Sequence, residues 1–416
     1  MRYRINEQIF LTGMPKEGAI GPIAPHLRSF AQSLSEQGYK RRYARRQVML
    51  AACFSRWLKQ RSVRLRCIRS EHPAQYLRSR HRDRQAVAGD VAAFDRLIAF
   101  LRAKRMIPQK KRSAPRFTPA ERCTQRYERY LREDRALAKA TIIGYTPFIG
   151  DFLKDRFGDE AVKLSCLRAT DVVRFVQRRA RHLPVKRAKL MTTALRSFFQ
   201  YTRLRGGVTL DLAAAVPIVA SWSMASIPRA IAPEQTKKLL ASIDRKTAMG
   251  RRDYAIVLLL ARLGLRAGEV AAVELNDIDW GAGQLTVHGK GDRRSELPLP
   301  AEVGKAIAAY LRHGRPRCAS RRVFLRTKAP IRGFEGACGV GSIIRHRLMR
   351  AHIAAPSFGA HQFRHGLASD MLRQGASLAE IGAVLGHQHP DTTRIYTKID
   401  LKALHTLAQP WPGGVR

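Results

Sequence analysis

At 416 residues the chain exceeds the length at which single hydrophobic cores stop growing, about 250–300 residues, so two or three domains are expected. Hydrophobic residues make up 45%, which excludes wholesale disorder. The balance of 77 Lys+Arg against 32 Asp+Glu, a net charge of +45, is more than a solvated surface needs and points to a polyanionic partner, with nucleic acid ahead of an acidic membrane surface.

The longest strongly apolar run, residues 255–261, is far short of the ~20 residues of a spanning helix. The start, Met1-Arg2-Tyr3-Arg4, opens no apolar signal core. The expectation is therefore a cytoplasmic, nucleoid-associated bacterial protein with no membrane partner. The six cysteines form no close CxxC pair, so buried free thiols are expected and not disulfides or a zinc knuckle.

In chain order, residues 1–107 read as a helical domain rich in arginine on one face. Residues 108–118, holding Pro108, Lys110, Lys111 and Pro115, read as a basic linker. Residues 119–212 read as a second helical domain, and its sequence looks like a repeat of the first. Trp57, Leu58 and Lys59 line up with Phe152, Leu153 and Lys154; Cys67 and Ile68 with Cys166 and Leu167; Leu97 and Ile98 with Phe198 and Phe199. Any two basic amphipathic helices align somewhat, but the offset drifts only from 95 to 101 over three ordered blocks.

Residues 213–228 form a second linker, and 229–416 a mixed domain with a C-terminal tail. A helix over Asp253–Leu263 ends at Gly264. Gln284–His288 alternates as a strand, and Ser295–Leu299 returns as an edge strand, which puts Lys290 on a hairpin tip. Phe363, Leu367 and Met371 mark a helix ended by Gly375. Ser377 and Glu380 form a capping box that starts a short helix with Ile381 and Leu385 on its apolar face. Gly386 stops it and aims His387 from its end. The fold class is mainly α with a small β-sheet, α+β in the last domain.

The chemistry lies in that last domain. Attack on a phosphodiester builds negative charge on the non-bridging oxygens, and guanidinium forks suit that charge. Arg266 and Arg364 are the candidate clamp; His361 and Arg364 share a helical face at i, i+3. Tyr396 is the candidate nucleophile. Its free phenol titrates at about 10, so it needs a base or cationic neighbours, which His361, His387 and the arginines would supply. Lys290 is a candidate general acid for the departing oxygen. The plainer alternatives are surface salt bridges for the arginines and a solvated tip for Lys290. A competing reading takes His361, His365, His387 and His389 as a metal cluster; His361 and His365 at i, i+4 imitate a zincin pair, but no Glu lies between them and no third ligand of the usual spacing follows. No Walker loop or carboxylate cluster is present, so no metal or other cofactor is expected.

Leu263-Gly264-Leu265-Arg266 with Glu269, the hairpin bearing Lys290, His361-x-x-Arg364, Leu385-Gly386-His387 and Thr393-Arg394-Ile395-Tyr396 follow in one order. Together they resemble the tyrosine recombinase (phage integrase) family over residues 229–412. The resemblance implies a helical core-binding domain at 119–212 and a catalytic domain clamped on double-stranded DNA, cutting through a 3′-phosphotyrosyl intermediate. By it, Arg266, Lys290, His361, Arg364 and His387 assist Tyr396, while Glu269 supports Arg266. It further implies a homotetramer on two paired sites, a dimer per site; companion recombinases, contacted through the extra unit at 1–107 as the alternative to DNA, or accessory factors are further expected partners.

The unit at 1–107 departs from the family pattern and reads as an extra core-binding-like copy. Candidate DNA contacts are Arg41, Arg42, Arg45 and Arg46 in that unit, Lys186, Arg187, Lys189 and Arg196 in the next, and Arg293 and Arg294 by the hairpin. The leading function is site-specific recombination serving a mobile genetic element. Alternatives are relaxation of DNA in the manner of a type IB topoisomerase, or a catalytically inactive DNA-binding relic.

Overall fold

The computed structural model describes residues 20–81, 89–109, 117–220, 228–289, 294–387 and 389–399. Residues 111–225 group as one compact unit, and residues 1–110 with 226–416 as another. The secondary structure is mainly helical with one three-stranded antiparallel sheet. Among the described residues no helix is long and apolar enough to cross a membrane.

The first helical segment runs α1 (Leu27–Glu36), α2 (Arg41–Gln60), a short 3-10 turn (Leu65–Cys67), α3 (Glu71–His81) and α4 (Asp90–Ala103). On α2, Ala44, Val48, Ala51, Phe54 and Leu58 recur at helical spacing and are all buried. The Phe54 ring meets Tyr76 at 5.4 Å and Phe94 at 5.0 Å between centroids, which joins α2 to α3 and α4. The buried Asp90 carboxylate accepts from Arg46 and Arg80, so its charge is paired where water is absent.

The unit at 111–225 has the same element order. Its α5 (Pro119–Glu133) is followed by α6 (Lys139–Phe157), a 3-10 turn (Leu164–Cys166), α7 (Ala169–Ala180) and α8 (Val185–Leu204). Thr118 and Glu121 cap α5 reciprocally, through N–H···O distances of 2.8 and 3.2 Å. The Phe152 ring meets Phe175 at 5.2 Å and Phe199 at 5.5 Å. Phe54 thus holds the place of Phe152, and the first block of the repeat aligns one helical turn away from where hydrophobicity put it. A shift of three residues keeps the same helix face toward the core, so periodicity does not register it.

The last segment builds the remaining core. Its α9 (Pro233–Ala241) precedes α10 (Ala248–Arg262), in which residues 255–260 are all fully buried. That helix starts five residues before the expected Asp253, because the Thr247 hydroxyl accepts from Gly250 N–H at 3.0 Å. The charged first turns hid this start. Arg252 and Asp253 are buried, and Asp253 takes Arg252 at 2.8 Å and Arg347 at 2.7 Å. Next come α11 (Ala267–Ala272) and the sheet β1 (Ile278–Asp279), β2 (Gln284–His288) and β3 (Arg294–Pro298), in the order β1-β2-β3. Leu285 and Val287 of β2 point into the core opposite Leu297 and Ser295. Helices α12 (Ala301–His313) and α13 (Ala337–Arg350) follow. Then α14 (His361–Arg373), α15 (Leu378–Leu385), α16 (Pro390–Thr393) and a 3-10 turn (Arg394–Ile399) carry the candidate site. Ser377 and Glu380 cap α15 as expected. A separate small core joins Ala368, Ile381, Leu385 and Tyr396.

The cysteines differ from expectation. Cys123 is buried, but Cys53, Cys67, Cys166 and Cys338 are exposed and Cys318 is half-buried, all as free thiols. Cys53 lies on the outer face of α2, and Cys67 and Cys166 lie in the short 3-10 turns, where small residues serve the turn instead of the core.

Candidate active site

Arg266 caps the N-terminus of α11, and Glu269 serves it twice. One carboxylate oxygen accepts from the Arg266 backbone N–H at 2.7 Å and the other from its guanidinium, also at 2.7 Å. The carboxylate sits in the first turn, where the helix dipole favours it, and is 9% exposed.

Arg364 organises the centre. Its guanidinium donates to the Gly264 carbonyl at 2.8 Å and, through its other terminal nitrogen, to the Leu385 carbonyl. One side chain therefore ties the loop before Arg266 to the helix end before His387. Gly264 has φ +60°, and a Cβ there would meet Leu385 at 2.7 Å and Leu367 at 3.0 Å, so only glycine lets the loop close on α14 and α15. Arginine carries five N–H donors; with two engaged, three remain for an anion. Its burial to 4% exposure fixes their direction.

Gly386 adopts φ +60° and ends α15, which brings the His387 N–H back to the Gly382 carbonyl at 2.9 Å. The His387 Nδ1 then lies 2.7 Å from the Thr393 hydroxyl, itself buried. Three residues on, Tyr396 turns inward, 1% exposed, with its Oη 3.0 Å from Nδ1 of His365. His361 is exposed one turn earlier on α14, its ring centroid 6.2 Å from that of His365.

The electrostatics show one shared neighbourhood. Burial, then the guanidinium of Arg266, pulls Arg364 down to about 10, so it stays charged at neutral pH. Burial, then Arg364 and Arg266, pulls His387 down to about 4. The His361 ring, exposed overall but partly desolvated against the site, is lowered by that desolvation and by the same two arginines, and His365 by burial, His361 and Arg364. Burial raises the Tyr396 phenol, opposed by Arg364. At pH 7 the site thus holds two guanidinium charges, one carboxylate and neutral imidazoles, a net +1 that a phosphodiester anion would balance.

Of the expected site residues, Arg266, Glu269, His361, Arg364, His387 and Tyr396 come together. Lys290 and Arg293 lie outside the described residues. Two residues were missed: His365, which was weighed only as half of a metal pair, and Thr393. His365 carried a usable signal, since it follows Arg364 directly and sits at i+4 from His361. A cavity of about 1060 Å³ uses Gly366 and Asp370 of α14 but none of these residues. Of the expected DNA contacts, Arg41, Arg42, Arg45, Lys186, Arg187, Lys189 and Arg294 are exposed. Arg46 is held by Asp90, and Arg196 is half-buried, donating to the Val216 and Pro217 carbonyls at 2.9 and 3.1 Å.

With this geometry in hand, comparison with known proteins is informative. The model of the phage integrase family matches residues 229–402, and that of the phage integrase N-terminal SAM-like domain matches residues 124–206. Over 413 residues the chain is 54% identical to an integrase/recombinase of Sinorhizobium fredii, y4rA, covering 99% of both chains. It is 26% identical over 280 residues to tyrosine recombinase XerC of Anoxybacillus flavithermus, covering 65% of this chain and 90% of that one. Among solved structures, XerH site-specific recombinase bound to palindromic difH substrate matches with TM-score 0.56 at 18% identity, over 69% of this chain and 84% of that one. A lambda integrase dimer bound to a COC′ core site matches with TM-score 0.53 at 16% identity, over 66% and 94%. The two solved structures share the fold.

Proposed function

Given that the chain belongs to the phage integrase family and is a tyrosine recombinase, we propose that Tyr396 is the nucleophile and that Arg266 and Arg364 clamp the scissile phosphate. The phenol oxygen bonds to phosphorus while the bond to the 5′-oxygen breaks, leaving a 3′-phosphotyrosyl link and a free 5′-hydroxyl. The phenol proton passes to a neutral imidazole, and Lys290 gives one to the departing oxygen. Attack by a 5′-hydroxyl from a second strand reverses these bonds and frees Tyr396. Bond energy is conserved in the covalent link, so the exchange consumes no nucleotide.

The observation that carries this reading is the double bridge made by Arg364. It holds the Arg266 loop and the His387 helix end around a buried cation whose remaining donors face no protein acceptor among the described residues. Two arginines this close repel unless an anion joins them. His361 and His387, both kept neutral, would donate hydrogen bonds to the same phosphate oxygens.

The working assembly in this reading is a dimer per site and a tetramer on two paired sites. Lambda integrase structures of similar fold hold a dimer at a core site and a tetramer at a Holliday junction. Exchange would serve a mobile genetic element, a role consistent with the integrase name of the Sinorhizobium fredii relative. The test is a nicked duplex drawn from the DNA flanking the gene, which once cut loses the short fragment bearing the new 5′-hydroxyl and so traps the covalent intermediate. A protein–DNA adduct should form with the wild type and vanish in Tyr396→Phe. An adduct that survives that substitution would overturn the reading.

A further inference from the structure

We propose that the outer stripe of α2 is a second duplex-DNA contact, made to the phosphate backbone and separate from the segment that matches the SAM-like domain. Arg42, Arg45 and Arg56 recur along one exposed face of this 20-residue helix. From Arg42 to Arg56 the rise is roughly 21 Å at 1.5 Å per residue. Duplex DNA offers one phosphate charge per about 1.7 Å, so the stripe spans several phosphates. None of the three has a carboxylate partner among the described residues, and α2 contains no acidic residue to provide one.

Two independent observations lift this above an ordinary charged face. The first is a comparison within the chain. The positions on α6 equivalent to Arg42, Arg45 and Arg56, 98 residues on as Lys139 is from Arg41, hold Ala140, Ile143 and Lys154. Residues 20–107 carry 20 Lys+Arg and 5 Asp+Glu, whereas residues 119–212 carry 20 and 10. The first segment thus has the element order of the second with half its acidic residues, and two of the three stripe positions are uncharged in the twin.

The second observation is that the stripe works against its own helix. Arg41 and Arg42 occupy the first turn of α2, where the helix dipole is positive, behind Lys40 with no side-chain cap and no acidic residue. A cation there opposes the dipole, and like charges at i, i+3 and i, i+4 repel further. Two other helix starts show a reciprocal cap, Thr118 with Glu121 and Ser377 with Glu380, whereas α6 and α8 also begin without a side-chain cap or an acidic residue. For Arg42 no ion pair among the described residues offsets that cost, and a local rule broken in this way is expected where another molecule compensates. Contacts of this kind carry position more than sequence, so the stripe would lengthen the grip on DNA without choosing its site.

Binding is measured, not cleavage, so the outcome is independent of whether Tyr396 is the nucleophile. Full-length protein is titrated into a fluorescent 40-base-pair duplex of arbitrary sequence across salt, using wild type, Arg42→Gln/Arg45→Gln and Arg42→Lys/Arg45→Lys. Loss of two phosphate contacts lowers the slope of log affinity on log salt by about 1.8. Between 50 and 200 mM salt the wild type should therefore lose about 12-fold more affinity than the glutamine variant. The lysine variant should keep the wild-type slope. The glutamine variant should melt no lower than wild type, since it relieves the dipole conflict. Equal slopes for wild type and the glutamine variant, or a slope lost equally in both variants, would overturn the proposal.

Discussion

Nδ1 of His365 lies 3.0 Å from Oη of Tyr396, in a pocket that leaves the tyrosine 1% exposed. A phenol buried that deeply needs a partner, and a neutral imidazole can both satisfy it and take its proton. His365→Phe keeps the ring and removes the nitrogen. Adduct formation in a single turnover should slow about 10²-fold, at the low end of general-base contributions. Stability should fall by about 1–3 kcal/mol through the unpaired hydroxyl. Cleavage at the wild-type rate would show that the hydrogen bond only parks the side chain.

Arg364→Lys should be far from conservative. A lysine ammonium cannot fork between the Gly264 and Leu385 carbonyls and still present donors outward. Loss of transition-state stabilisation of the oxyanion kind is expected at about 10²–10³-fold in cleavage rate. Denaturant midpoints should drop as well, because two buried carbonyls lose their donors. A variant that keeps stability but loses cleavage would place Arg364 solely in chemistry. Intact cleavage would remove it from the site.

The pH dependence has a definite sign. His387 takes up a proton near 6.5 when unfolded but only near 4 when folded, because burial and two arginines oppose the charge. The unfolded chain therefore binds more protons between those values, and stability falls as pH drops through that window. His361 and His365, also lowered, act in the same direction. Above pH 6.5 these groups contribute no slope. Melting temperature measured from pH 7.5 to 4.5 should decline below 6.5, and His387→Asn should decline less steeply. Identical slopes for the two proteins would contradict the environment assigned to His387.

Much of this site was readable before any folding. His361 and Arg364 sit three residues apart on a helix, and Gly386 announces both a helix end and the direction of His387. These are local relations, set by helix period and by the φ that glycine allows. What escaped depends on contacts between distant segments. The pairing of Thr393 with His387 requires α16 to fold back under α15, and the pairing of His365 with Tyr396 crosses 31 residues. Nor did residue type reveal that Arg196 would serve two carbonyls and Arg46 a buried carboxylate. An arginine facing DNA and an arginine bracing a fold look alike in one dimension. The two helical segments share an element order, but the block aligned from Trp57 falls out of register with the helix starts, because a slip of nearly one turn keeps the same face inward.

Glu269 offers a sharper test than the groups it supports, because its loss should separate binding from cleavage. Its two oxygens hold the Arg266 backbone and guanidinium at 2.7 Å each, so the guanidinium proposed to clamp phosphate is aimed by this carboxylate. In Glu269→Gln one oxygen becomes an amide nitrogen that faces a donor, and one of the two bonds must break. The lost cap costs about 1 kcal/mol of stability. The site also loses its only negative charge among these groups, so its net charge rises from +1 to +2 and a DNA phosphate should bind at least as tightly in the ground state. Misdirection of Arg266 should nonetheless slow adduct formation about 10- to 100-fold, since small misplacements of a clamp carry that cost. DNA affinity from salt-matched titrations and adduct rate from quenched time courses should thus move in opposite senses. Parallel losses in both would mean that Glu269 merely keeps the loop folded.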